Sequence, residues 1–263
     1  MMSNPSRRHR ARRRRPSKPI NGRKAVILSF FPEIDLSSFR IHVSVKRIPT
    51  GCSSLDALLG GGLESGCVTL LYGEAGTGKT NFCLQTAYNM VKSGMKVAYI
   101  DSEGLSSDRI TQIFQDKEYI KGLLVFQIYS FEEQSDRIAK ACRLSEANDK
   151  IGLIVIDSMT MFYRLRSDDI SARNEFTRQT EMLLNAARKN DVPVLLTSQV
   201  YTNLGSGTIE FLGGNALHHN AKTIIRLDKR ANGKRAAVIV KHRSIPDGKF
   251  ANYRIVSNGI ESD

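Results

Sequence analysis

The chain has 263 residues, of which 41% are hydrophobic, and a formal net charge of +13 at pH 7. This length suits one α/β domain with a sizeable core, and no apolar run approaches the roughly 18 residues of a membrane-spanning helix. Residues 1–47 hold 13 Lys and Arg but only 2 Asp and Glu, a net charge of +11, which leaves +2 for the other 216 residues. The high overall charge therefore does not by itself indicate nucleic-acid binding by the domain.

The first segment, residues 1–42, is an arm whose densest part, residues 7–16, contains seven arginines. Such a density of like charge repels itself, so we expect a disordered arm followed by a single domain at 43–263. Four interpretations of the arm stay open: contact with nucleic-acid phosphates, a basic tail without a specific partner, a leader-like segment, or a translation start placed too far upstream.

The cysteines show no C-x-x-C spacing and are four in number: Cys52, Cys67, Cys83 and Cys142. This usage is typical of reduced thiols in a cytoplasmic protein.

From Arg47 onward, short apolar runs alternate with amphipathic stretches. A short helix is predicted at 52–59 and further helices at about 80–92, 106–115, 131–147 and 171–190. Strands are predicted at 67–72, 96–101, 123–128, 152–157 and 193–198. This alternation predicts an α/β fold with a mostly parallel sheet covered on both faces. Runs at 223–227, 236–240 and 253–256, separated by turn signals, predict a C-terminal antiparallel meander.

Residues 73–80 form a complete G-x-x-x-x-G-K-[ST] motif between a predicted strand and a predicted helix. Backbone N–H groups of such a loop converge on phosphate oxygens at the positive end of the following helix. Lys79 can reach the β and γ phosphates, and Thr80 can offer its hydroxyl to Mg²⁺. The predicted nucleotide-binding residues are Gly73, Glu74, Ala75, Gly76, Thr77, Gly78, Lys79 and Thr80.

Polar residues follow three other predicted strands. Asp157 ends one of them, and because carboxyl ends of parallel strands face the ligand crevice, it is placed to hold Mg²⁺ through water. Glu103 lies just beyond the end of another strand and can accept a proton from, or orient, an attacking water; the competing interpretation is a solvated loop carboxylate. Gln199 follows a third strand, where a neutral amide can sense a γ phosphate, although this signal alone is weak.

Two clusters of basic residues remain. Lys241, His242 and Arg243 close the last strongly apolar strand and can contact phosphate on a neighbouring subunit, with a solvated strand end as the alternative. His218 and His219 have no carboxylate or cysteine at ligand spacing, so no zinc site is predicted.

Together these motifs resemble the core of the RecA/RadA recombinase family, and most of all a short archaeal paralogue of RadA. The resemblance covers about residues 45–260. The matching stretches are IPTGCSSLD (48–56), the loop at 73–80, YIDSEG (99–104) with Asp108 and Arg109, LIVIDS (153–158), SAR (171–173), TSQV (197–200), GGNAL (213–217), and KHRS (241–244) with PDG (246–248).

The resemblance implies residue roles at these positions. ATP with Mg²⁺ would bind at 73–80, with Glu103, Lys79 and Gln199 in catalysis, Asp157 and Thr80 on the metal, and Arg109 against adenine. DNA loops would fall at about 159–173 and 200–212, and the first holds Tyr163, Arg164, Arg166 and Arg173, residue types suited to stacking and phosphate contact. An ordinary charged surface loop is the competing interpretation.

Departures from the family pattern qualify the expected activity. The second loop has no Lys or Arg, the sequence shows no helix-hairpin-helix-like domain before the core, and no Phe-x-x-Ala tether is evident. We therefore expect an accessory protein of DNA repair and homologous recombination, cytoplasmic and nucleoid-associated. It would bind ATP and single-stranded DNA, hydrolyse ATP weakly and modulate a RadA-type recombinase. The alternatives are a DNA-stimulated strand-exchange ATPase and a KaiC-like regulatory ATPase.

Overall fold

The computed structural model describes residues 45–147, 150–202 and 209–263. The predicted Arg-rich arm lies outside the described residues. No helix among those three ranges is long and apolar enough to cross a membrane. The four cysteines are buried and free.

The described chain alternates strands and helices as the sequence pattern predicts. The strands are β1 (Arg47–Ile48), β2 (Leu63–Glu64), β3 (Val68–Gly73), β4 (Lys96–Asp101), β5 (Leu123–Gln127), β6 (Ile151–Asp157), β7 (Val194–Ser198), β8 (Val200–Thr202), β9 (Ile209–Phe211), β10 (Thr223–Lys229), β11 (Lys234–Lys241), β12 (Phe250–Val256) and β13 (Gly259–Ser262). The helices are α1 (Ser53–Leu58), α2 (Lys79–Lys92), α3 (Ser107–Ile113), α4 (Lys117–Ile120), α5 (Phe131–Glu146), α6 (Ile170–Asn190) and α7 (Gly214–Asn220).

Nine strands form the main sheet in the order β13-β12-β11-β10-β3-β7-β6-β4-β5. The strands from β10 to β5 run parallel to their neighbours, whereas β10 to β13 form an antiparallel meander. The predicted mixed architecture is confirmed. Because β3, β7, β6 and β4 are adjacent and parallel, the residues that follow them meet at one edge of the sheet.

The sheet has a hydrophobic core on each face. Leu70 and Ile154 pack with α5 and α6 on one side, while Leu71 and Val155 pack with α2 on the other. All seven residues of β6 are buried, which explains why this strand reads as an unbroken apolar run. The meander joins the α2 face, where Tyr253 is fully buried.

The sequence pattern missed the short elements. These are the β1–β2 pair, α4, the β8–β9 pair, α7 and β13. Each spans two to seven residues, which is too short for a hydrophobic period to identify the element from sequence. The β8–β9 pair has a functional consequence, because it lies within the predicted second DNA loop.

Candidate nucleotide site

The phosphate-binding motif connects the end of β3 to the start of α2. Gly78 is the N-cap of α2 with φ 99° and ψ 21°, and no side chain caps the helix. The amide groups of the first turn therefore keep their anion-binding capacity. A Cβ on Gly73 would lie 2.3 Å from the carbonyl oxygen of Leu227, so this position accepts only glycine without a shift of the adjacent strand.

Hydrogen bonds within the protein hold the phosphate-binding loop in place without a ligand. The Thr77 hydroxyl donates to the Glu74 carbonyl oxygen at 2.9 Å. The buried Tyr253 hydroxyl donates to the Thr77 carbonyl oxygen at 2.7 Å, which ties the loop to β12 of the meander. Such prior ordering removes part of the entropic cost of closing the loop on phosphate.

Lys79, the first residue of α2, folds back over the loop. Its Nζ donates to the carbonyl oxygens of Gly73 at 2.8 Å and Glu74 at 3.1 Å. Burial lowers the pKa of Lys79, an effect that the nearby carboxylates of Glu103 and Asp157 oppose. A phosphate group would give this ammonium an anionic partner where the loop offers only carbonyl dipoles.

Asp157 ends β6 and is 2% exposed. Its Oδ1 accepts a hydrogen bond from Thr197 Oγ1 at 2.6 Å, and its Oδ2 accepts one from the Tyr99 hydroxyl at 2.8 Å. Burial raises the pKa of Asp157, whereas hydrogen bonds from Thr197, Thr80 and Tyr99 lower it. The carboxylate is thus held in one orientation beside Thr80.

The residues present fit a magnesium ion. Thr80 and Asp157 are hydrogen-bonded neighbours and offer only oxygen, which Mg²⁺ prefers. Mg²⁺ usually keeps several waters and takes one or two protein oxygens plus phosphate oxygens, so this pair at the mouth of a phosphate loop supplies an appropriate set.

The two carboxylates at the end of β4, Asp101 and Glu103, have different surroundings. Asp101 is 2% exposed and accepts from the backbone N–H groups of Glu103 at 3.1 Å, Gly104 at 2.9 Å and Leu105 at 2.7 Å. Its oxygens are therefore used in shaping the loop. Glu103 is exposed and lines the cleft, so its carboxylate is accessible to a ligand, and its catalytic role stays a prediction.

Removing the Asp101 carboxylate tests whether it holds the loop after β4 in place. We expect Asp101→Ala to lower the free energy of unfolding by about 2 kcal/mol, because three backbone donors lose an ionised acceptor. Urea unfolding measures the change. The matched control is Asp108→Ala on the exposed first turn of α3, with an expected loss within about 0.5 kcal/mol. Equal effects of the two substitutions would contradict a special role for Asp101.

Gln199, after β7, joins two groups of opposite charge. Its Nε2 donates to Glu103 Oε1 at 3.1 Å, and its Oε1 accepts from Arg164 Nη1 at 3.2 Å. A cleft of about 300 Å³ opens at this point and has room for the phosphates of a nucleotide. Its lining residues are Gly73, Ala75, Lys79, Glu103, Arg164, Gln199, Val200 and Leu212.

Arg109, predicted to contact adenine, is tied to the C-terminal hairpin. Its guanidinium donates to Asn81 Oδ1 at 2.6 Å and to Gln112 Oε1 at 2.9 Å. Further acceptors are the carbonyl oxygens of Val256, Ser257 and Gly259. With its edge so occupied, contact with a base would use the face of the guanidinium.

The four predicted DNA-binding residues do not form one surface. Tyr163 is buried and stacks on Phe176 at 4.0 Å between ring centroids, so the expected stacking of this ring on a base is not supported. Arg164 turns to the nucleotide cleft, and Arg166 pairs with Glu132. Arg173 is exposed and makes no ion pair with any described residue. Of the four residues, it alone has a free charged group that could contact a DNA phosphate.

The cationic cluster at the end of β11 lies at the opposite end of the sheet from the phosphate loop. Arg243 contacts Glu64 at 2.7 Å, Lys241 donates to the His218 carbonyl oxygen, and His242 Nδ1 accepts from two backbone N–H groups. A phosphate contact by these residues within the same chain is therefore ruled out by distance along β10. A contact with a neighbouring subunit stays a prediction.

Sequence reasoning missed the groups that hold the named residues in place. Tyr99 and Thr197 orient Asp157, and Asp101 orients the backbone of Glu103. One signal was present: a tyrosine within an apolar strand must find a partner for its buried hydroxyl.

Comparison with known proteins places this geometry in a family. Residues 41–263 match the Rad51 family. The chain is 40% identical over 230 residues to the DNA repair and recombination protein RadB of Thermoplasma acidophilum, covering 87% of this chain and 100% of the relative. It is 44% identical over 218 residues to the protein of that name from Archaeoglobus fulgidus, covering 81% and 97%.

A solved structure gives the same result. The crystal structure of the RadB recombinase superposes with a TM-score of 0.72 at 36% identity, covering 82% of this chain and 99% of that one. The resemblance to the RecA/RadA recombinase core is confirmed. The chain therefore belongs to the Rad51 family, within its group of archaeal RadB proteins of DNA repair and recombination.

Proposed function

We propose that the protein binds Mg²⁺–ATP at residues 73–80, binds single-stranded DNA, and modulates a RadA-type recombinase as an accessory factor. One observation carries the ATP site: Lys79 at the uncapped N-terminus of α2 lines one cleft with Glu103 and Gln199, which follow two strand ends, and the Asp157 carboxylate lies close enough to oppose the lowering of the Lys79 pKa by burial. A role in DNA repair and recombination follows from the family itself.

Each side chain has a distinct task in this proposal. Lys79 and the loop amides bind the phosphates, and Thr80 and Asp157 hold Mg²⁺, which would neutralise charge on the phosphate oxygens. Glu103 accepts the proton of an attacking water or orients it. Gln199, hydrogen-bonded to Glu103 at 3.1 Å, transmits the state of the terminal phosphate to β8.

The shortage of free cationic side chains at the two predicted DNA loops supports an accessory role over autonomous strand exchange. Of the four candidate residues in the first loop, three are engaged elsewhere in the fold. The second loop contains no Lys or Arg, and its ends pair as β8 and β9. We propose that residues 43–263 form the ATPase domain and that the arm is separate from it.

ATP turnover tests the whole proposal. We would measure it with and without single-stranded DNA and RadA, on the full chain and on residues 43–263. Slow turnover by the protein alone, together with a change in RadA strand exchange, is the expected result. Strand exchange without RadA would instead establish the alternative, an autonomous recombinase. Indifference to both DNA and RadA would favour a regulatory ATPase.

Salt dependence tests the DNA part separately. We expect residues 43–263 to bind fluorescent oligo(dT), with affinity falling about tenfold between about 50 and about 200 mM salt, since about two to three phosphate contacts release counterions. Arg173→Gln should reduce that slope, and Arg188→Gln, exposed at the far end of α6, should not. If the full chain bound DNA and residues 43–263 did not, DNA contact would be assigned to the arm. If neither bound DNA at low salt, the proposal that the protein binds DNA would be refuted.

A further inference from the structure

The first predicted DNA loop sends one arginine toward the nucleotide cleft. Arg164 Nη1 donates to Gln199 Oε1 at 3.2 Å, and the residue lines the same cleft as Lys79 and Glu103. Among the described residues, Gln199 is the one acceptor of its guanidinium, and no carboxylate pairs with it. A cation with unused donors therefore borders the space in which a terminal phosphate would lie.

The backbone around Arg164 is fixed by its neighbours. Tyr163, the preceding residue, is buried and stacked on Phe176 of α6. The Arg164 backbone N–H donates to the Thr160 carbonyl oxygen at 3.1 Å, and Arg166 is paired with Glu132 of α5. Because the residues on both sides of Arg164 are held by these contacts, the loop backbone directs the Arg164 side chain at the cleft.

Arg164 also decides how the Gln199 amide is oriented. An arginine can only donate hydrogen bonds and an ionised glutamate can only accept them. With Arg164 on one side and Glu103 on the other, the amide oxygen must face the arginine and the amide nitrogen must face the glutamate. A three-residue relay thus joins the first loop to the candidate catalytic carboxylate.

We propose that Arg164 binds the terminal phosphate of the nucleotide within the same chain, and so makes the first loop respond to whether ATP or ADP is bound. This inference rests on the proposed ATP site. It assigns Arg164 to phosphate recognition and leaves Arg173, which lines a different cleft together with Tyr163, as the arginine of this loop that is available to DNA.

Nucleotide discrimination provides the test. We would titrate the protein with Mg²⁺ and either ADP or a non-hydrolysable ATP analogue by calorimetry. Arg164→Gln should lower affinity for the ATP analogue about tenfold, and ADP affinity by less than about twofold, because a charge-assisted contact to one phosphate is lost. Arg164→Lys, which keeps the charge but not the fork, should fall between. Arg188→Gln is the control.

The outcomes separate the two proposals. Equal losses for both nucleotides, or no loss for either, would overturn the role of Arg164 while leaving the ATP site intact. A lower DNA affinity with unchanged nucleotide affinities would likewise overturn it and return Arg164 to the DNA contacts. If the unmodified protein bound neither nucleotide, the ATP site itself would be refuted, and this inference with it.

Discussion

Replacing Lys79 with alanine is expected to lower ATP affinity by at least about a hundredfold, because two charge-assisted hydrogen bonds to phosphate are lost at about 1.5 kcal/mol or more each. Lys79 is only partly exposed, and its ammonium already lies against the loop carbonyl oxygens of Gly73 and Glu74. No rearrangement of the helix is needed for it to reach a phosphate. Calorimetry with Mg²⁺ and a non-hydrolysable ATP analogue measures the loss.

The matched control lies on the same helix. Lys92 is exposed in the last turn of α2, so Lys92→Ala removes the same charge at the end where no phosphate would bind. Its ATP affinity should stay within about twofold of the unmodified protein, since exposed charges at this distance are screened. Unchanged nucleotide affinity in Lys79→Ala would refute the assignment of the site to residues 73–80.

The phosphate loop and the strand ends were predictable because both are local in sequence. Glycines at fixed spacing between an apolar strand and a helix identify the loop, and a carboxylate that ends an apolar strand faces the crevice of a parallel sheet. In the structure Asp157 ends β6 and Glu103 follows the end of β4, as predicted. What they do there is still a prediction.

The supporting contacts were not predictable because they depend on strand order. Tyr99 reaches Asp157 only because β4 lies beside β6, and Thr197 does so because β7 lies on the other side. Sequence spacing does not state which strands are neighbours. Two partners of the key carboxylate, 58 and 40 residues away along the chain, therefore required the fold.

The directions of the side chains in the first predicted DNA loop were also not predictable from the sequence. Tyr163 and Arg164 are adjacent and both looked suited to DNA, yet one packs into the core and the other turns to the nucleotide cleft. The short 3-10 helix at Tyr163–Leu165 sets these directions. Composition indicates what a loop can bind, whereas its backbone decides which residues reach the ligand.

Asp157→Asn is expected to separate ligand binding from stability. Mg²⁺ should strengthen binding of the ATP analogue at least about tenfold in the unmodified protein and by less than about twofold in the variant, since a neutral amide is a poor ligand for Mg²⁺. Calorimetric titrations with Mg²⁺ and with EDTA measure both ratios. An undiminished Mg²⁺ effect in the variant would remove Asp157 from the metal site.

The same substitution should stabilise the nucleotide-free protein. Burial raises the pKa of Asp157 above its unfolded value, so the charged carboxylate costs stability near neutral pH, and this cost disappears as pH falls through the raised pKa toward the ordinary aspartate range. An asparagine avoids the cost, and the hydroxyls of Tyr99 and Thr197 can rotate to serve an amide as donor or acceptor.

Thermal unfolding without nucleotide measures this effect. We expect Asp157→Asn to raise the melting temperature by about 2–4 °C near neutral pH, as about 1 kcal/mol does for a domain of this size. The gain over the unmodified protein should shrink as the pH is lowered, because both proteins are then neutral at this position. Asp136→Asn, on the exposed side of α5, should change neither. A fall in melting temperature for Asp157→Asn would mean that its three hydrogen bonds outweigh its burial, and that the carboxylate stabilises the fold even without Mg²⁺.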